Sequence, residues 1–142
     1  MASHLQLLLR LRHIALDDAR QGLASRLQDA ALAAAAERAA ALSLWREREA
    51  ASSMQATDTA VEAFAAWLPT GLKALDAARE ASERAEAACA QARAKLAAAR
   101  GAAEAIASML DAEAAKARLE ASRREQAILD EAALSKRPCP PL

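Results

Sequence analysis

The residues best suited to chemistry are thinly scattered along this chain. Two histidines, His4 and His13, stand nine apart, with no Cys or carboxylate at ligand spacing from them. A metal site needs three or four converging ligands, so the pair is expected to be polar surface residues. Carboxylates are numerous, as in Asp17-Asp18 and Glu80/Glu83. Acid–base work needs a carboxyl enclosed beside its substrate, and an open helical scaffold encloses none. No phosphate-cradling Gly loop, nucleophile elbow or Cys/His nucleophile context occurs. Cys89 falls at a helical core position and Cys139 in a Pro-rich tail, which is the pattern of free thiols rather than a staple. An enzyme is not expected, and neither is a cofactor or a bound metal.

The elements that carry these residues follow from composition and spacing. Roughly a third of the 142 residues are Ala, aromatics make up 2%, and charged residues, mostly Arg and Glu, make up 27%. Ala freezes no side-chain rotamer on entering a helix and has the highest helix propensity. An Ala/Glu/Lys/Leu/Arg-rich chain with helical periodicity is the signature of a coiled coil or long helix.

The strongest punctuation is Leu68-Pro69-Thr70-Gly71. Pro69 disfavours helical geometry at Leu68 and cannot continue a helix, and Thr70 can cap the next one. The expected fold is therefore all-α, two long antiparallel helices forming a coiled-coil hairpin. Its first helix would span 3–67, the turn 68–71, the second helix 71–135, and a disordered tail 136–142. Each arm would be roughly 100 Å long at ~1.5 Å per residue, making a slender rod. A break at Gly101 or at Ser52-Ser53 would give a three- or four-helix bundle instead, but neither site has Pro or a turn cluster.

The second arm carries the clearest seam. Leu75, Ala78, Ser82, Ala85, Cys89, Ala92, Leu96, Ala99, Ala103, Ile106 and Leu110 alternate spacings of three and four. On the first arm Leu9, Leu16, Leu23 and Ala30 recur every seven, with Leu27 beside them. Folding about 68–71 pairs positions whose numbers sum to about 138. That puts Leu27 near Leu110, Leu32 near Ile106 and Leu42 near Leu96.

Formal net charge is zero, so no bulk field draws nucleic acid to the chain. No run approaches the ~18 apolar residues of a membrane span, and residues 5–11 lack the uninterrupted core of a signal peptide. A cytoplasmic protein is expected. Residues 1–48 and 116–142, side by side in the expected hairpin, hold 13 basic and 9 acidic side chains. Residues 49–115 hold 6 basic and 10 acidic ones. Such a rod would be basic at its free ends and acidic towards its turn. Phe64, Trp67 and Leu68, with Val61, gather apolar bulk at that turn, either as a cap sealing it or as an exposed docking tip.

Both ends resemble a known family. Leu7-Leu8-Leu9-Arg10-Leu11-Arg12, then Asp17-Asp18-Ala19-Arg20 and Leu23-Ala24, is similar to the opening of the FliJ/YscO-type stalk proteins of bacterial type III export systems. Arg123-Arg124-Glu125-Gln126-Ala127-Ile128-Leu129-Asp130-Glu131-Ala132-Ala133 resembles their closing segment. The Ala-rich middle, Pro69 and the Pro-rich tail depart from that pattern.

The resemblance implies a stalk whose paired terminal ends sit in the pore of a hexameric export ATPase. Arg10, Arg12, Arg20, Arg123 and Arg124 would contact the ring. Phe64, Trp67 and Leu68 would face the membrane export-gate protein, and export chaperones would be further partners. It also implies peripheral association with the cytoplasmic face of the inner membrane. Both a flagellum and an injectisome fit, with the Leu129-Asp130-Glu131-Ala132 close favouring the flagellar system. The alternatives are a generic antiparallel coiled-coil scaffold or chaperone of another assembly, and a membrane-surface helix pair. The narrow, Ala-rich apolar faces suit lipid poorly.

Overall fold

The computed structural model describes residues 2–136; the expected tail beyond 136, with Cys139, lies outside the described residues. The described residues hold two α-helices, α1 over Ala2–Ser52 and α2 over Asp58–Ser135, packed against each other as a helical hairpin. No strand occurs among the described residues.

The chain reverses at residues 53–57, not at 68–71, and the helices are unequal, with 51 and 78 residues. Local polar chemistry explains the site of reversal. The Ser52 Oγ donates back to the Arg48 carbonyl (2.6 Å), and the Ser53 Oγ donates to the Ala50 carbonyl (3.2 Å), one of the acceptors that the end of a helix leaves open. The Ala56 N–H then closes a turn on the Ser53 carbonyl at 3.0 Å. Thr57 caps α2: its Oγ1 accepts from the Ala60 N–H at 3.3 Å, and its carbonyl accepts the first helical bond from Val61 at 3.1 Å. Asp58 follows in the first turn, where the helix dipole favours a negative charge.

Pro69 lies inside α2. An interior proline removes the bond to the carbonyl four residues back and costs about 3 kcal/mol. Here Pro69 and Ala65 both face solvent, so water can serve the freed carbonyl. Gly71 is equally not a turn residue. It is buried beneath the Trp67 indole, and a Cβ there would lie 2.5–2.9 Å from three ring atoms.

Residues 16–99 form one compact unit, and the described residues of 2–15 with 100–136 form another. In the first, the register is set by two cross-helix contacts. The Cys89 thiol donates to the Arg26 carbonyl at 3.1 Å, and the Arg79 Nε lies 3.9 Å from the Glu37 Oε1. Facing residues thus have numbers summing to 115 or 116, and the pairing about 138 is wrong. Leu27, Leu32 and Leu42, expected to meet large partners, are 45%, 71% and 44% exposed. Leu32 and Leu42 each stand two residues from a seam position, Ala30 and Leu44, and so face away from α2, while Leu27, four after Leu23, lies at the exposed edge of the seam.

The seams themselves are as spaced. Every one of the eleven α2 positions from Leu75 to Leu110 is buried or half-buried. So are Leu9, Leu16, Leu23 and Ala30 on α1, and the same spacing runs on through Glu37, Leu44 and Ala51. The apolar interior of each unit is thin: Leu16, Leu75 and Cys89 are buried in the unit of 16–99, Ala103 and Ile106 in the other, and no described side chain is fully enclosed. Alanine removes little apolar area from water per contact, at about 25 cal/mol per Å².

In the unit of 2–15 and 100–136, α1 begins beside the α2 stretch around Leu110: Gln6 shares a surface groove with Leu110, Asp111, Ala114 and Ala117. Beyond that point α2 has no cover, and every residue of 114–136 is exposed. The seam positions continue as Glu113, Ala117, Glu120 and Arg124, three of the four charged.

Candidate functional site: an uncovered helix end and an apolar groove

Arg10, Arg12, Arg20, Arg123 and Arg124 are all exposed. Arg10 and Arg12 lie on the covered start of α1, whereas Arg123 and Arg124 lie on the uncovered stretch of α2. The expected side-by-side pairing of 1–48 with 116–142 is therefore replaced by a single helix end. The charge polarity built on that pairing falls with it. Residues 116–135 hold Lys116, Arg118, Arg123 and Arg124 against Glu120, Glu125, Asp130 and Glu131, a balanced set. Two of the arginines are partly neutralised by neighbours on their own helix. Arg20 reaches Asp17 at 3.1 Å, and Arg124 reaches Glu120 at 3.8 Å. Such exposed pairs contribute about 0.3–0.5 kcal/mol each.

Phe64, Trp67 and Leu68 do not form a turn. They sit in the early turns of α2, half-buried, with the Phe64 and Trp67 ring centroids 6.3 Å apart at 34°. Continuing the helix through Pro69 aims these side chains in two directions. Phe64 and Leu68, with Leu72, form one wall of an apolar groove of about 500 Å³, and Leu44, Trp45 and Arg48 of α1 form the other. Trp67 lies in a smaller groove of about 350 Å³ with Ala51 and Glu47.

Trp45, 57% exposed, was missed in the sequence. A turn at 68–71 leaves it far from Phe64, whereas a reversal at 53–57 brings the two together. The available signal was its placement three residues before Arg48, with both within two turns of the Ser52-Ser53 pair.

Among the described residues no three His, Cys, Asp or Glu side chains gather as a metal cluster, and no helix is long and apolar enough to cross a membrane. Cys89 is a free, buried thiol. The class that the fold defines is an all-α helical hairpin whose longer helix runs on without a partner among the described residues. No protein family matches the chain, and neither a curated protein nor a solved structure matches it.

Proposed function

We propose that this protein is a non-catalytic stalk of a type III export ATPase complex, flagellar or injectisome. The observation that carries the reading is the uncovered end of α2. Residues 118–135 stay helical with no helix alongside among the described residues, and they hold the closing motif from Arg123 to Ala133 that resembles the family. A single helix presenting charges of both signs and apolar side chains around its circumference suits insertion into a ring pore, where the subunits surround it. The opening motif with Arg10 and Arg12 would meet the rim, and the groove and aromatic residues near 53–57 would serve the export gate or chaperones. The role would be exercised at the cytoplasmic face of the inner membrane. A stalk accelerates its ring by binding some subunit conformations better than others, since only differential affinity shifts an equilibrium.

The test is the activity of the cognate hexameric ATPase with and without the purified full chain. Stimulation by wild type, lost by most of its amplitude in an Arg123→Glu/Arg124→Glu variant of unchanged helicity, is the expected result. A charge-reversed variant that stimulates as well as wild type would sink the reading.

A further inference from the structure

We infer that two copies of this chain associate through the uncovered end of α2 in one and the apolar groove beside Trp45 in the other. The groove is built from Leu44, Trp45, Phe64, Leu68 and Leu72, and a single charge, Arg48, stands among these apolar side chains. Trp45 and Leu72 are 57% and 45% exposed, so the groove presents apolar surface that the hairpin does not cover. Arg48 is exposed and makes no ion pair among the described residues.

The uncovered α2 end carries the converse surface. At 3.6 residues per turn, Ala121, Ile128, Leu129 and Ala132 fall on one face with Glu125 in its midst, and the small Ser122 completes that face. Ile128 and Leu129 are 66% and 69% exposed. Glu125 is exposed and likewise in no ion pair among the described residues. An apolar groove holding one cation thus matches the face over 121–132, largely apolar and holding one anion, with Arg118 and Lys136 beyond it on the same side. On each surface bulky apolar side chains stand three and four residues from the charge, Trp45 and Leu44 before Arg48 and Ile128 and Leu129 after Glu125. Laying an amphipathic helix into such a groove is a recurrent mode of recognition. The charge pair would set register and exclude wrong partners, while the apolar contacts provide the affinity.

This association does not rest on the export reading. Arg123 lies on the opposite side of the helix from Glu125, so the two surfaces are separable by mutation.

Sedimentation velocity of the full chain over a wide concentration range tests the inference. The wild type is expected to pass from the 14.9 kDa monomer to a dimer or larger assembly as concentration rises. Arg48→Glu and Glu125→Arg should each weaken association at least ~10-fold, a step of one decade in Kd. The combined Arg48→Glu/Glu125→Arg variant should recover to within ~3-fold of wild type. Both positions are exposed, and unchanged far-ultraviolet dichroism would show that the variants fold. A wild type that stays monomeric at every concentration overturns the proposal, and the groove then belongs to another helix or to the chain's own. Single variants that associate like wild type, or a double variant that is not rescued, also overturn it.

Discussion

The Cys89 thiol of α2 donates a 3.1 Å hydrogen bond to the Arg26 carbonyl of α1, sixty-three residues away in sequence. A side-chain donor reaching the backbone of the facing helix requires close approach, which the small side chains around Cys89 permit. The contact also fixes the pairing of residues 16–99, because a slip of one residue in either helix would carry the sulfur off its acceptor. From that register follows which large side chains are core and which are surface.

Leu16 is 8% exposed and Leu32 71%. Leu16→Ala is expected to lower stability by about 2 kcal/mol, the lower end of the range for buried leucine truncation in view of the thin core. Leu32→Ala should stay within about 0.5 kcal/mol of wild type. Urea denaturation of the two variants would separate this register from one in which Leu32 meets Ile106.

Pro69→Ala should stabilise the protein, by about 1–3 kcal/mol, since it restores a helical bond and removes a ring from the interior of α2. Were 68–71 the reversal, the same change would be neutral or harmful. Thermal unfolding gives the sign directly.

The glycines are expected to diverge. At Gly22 and Gly101 a Cβ would meet nothing within 4 Å, so Ala at either should raise stability by about 0.5–1 kcal/mol through helix propensity. At Gly71 the new methyl would strike the Trp67 ring. Gly71→Ala should therefore displace the indole and gain no stability. In a Trp45→Phe background, a red shift of Trp67 emission would report the displacement, and an unchanged spectrum would contradict it.

Capping supplies a further contrast. Thr57→Ala removes the acceptor of the Ala60 N–H and should cost about 1 kcal/mol. Thr70→Ala, inside α2 and exposed, should be neutral or slightly stabilising, because Ala is the better helix former.

Removal of residues 118–142 should leave the unfolding midpoint of the remaining chain within a few degrees of wild type. No described residue of the deleted segment is buried, so 118–136 take no core with them. The helical dichroism should fall in proportion to the residues lost. Amides of 118–135 should also exchange fastest within the helices, since a stretch of this length has only propensity and pairs such as Glu120–Arg124 to hold it.

What the sequence determined by itself was the helical state and the inward face of each helix. Both depend on neighbours three, four and seven residues away, so Leu75, Cys89, Ile106, Leu9 and Leu16 were legible as seam. Where the chain reverses, and which residues then face one another, only the tertiary structure decided. Pro69 is the strongest local signal, yet its cost of about 3 kcal/mol is outweighed when α2 continues through it and seats Trp67 on Gly71 and Leu68 beside Trp45. The Ser and Thr bonds at 52–57 are individually weaker, but they end one helix and begin the next without interrupting a seam. The expected and observed registers differ by about three heptads, and an Ala-rich seam presents nearly the same faces after such a slip. Periodicity therefore could not choose between them. Contacts such as Cys89 with Arg26 could, and the choice left the last turns of α2 uncovered.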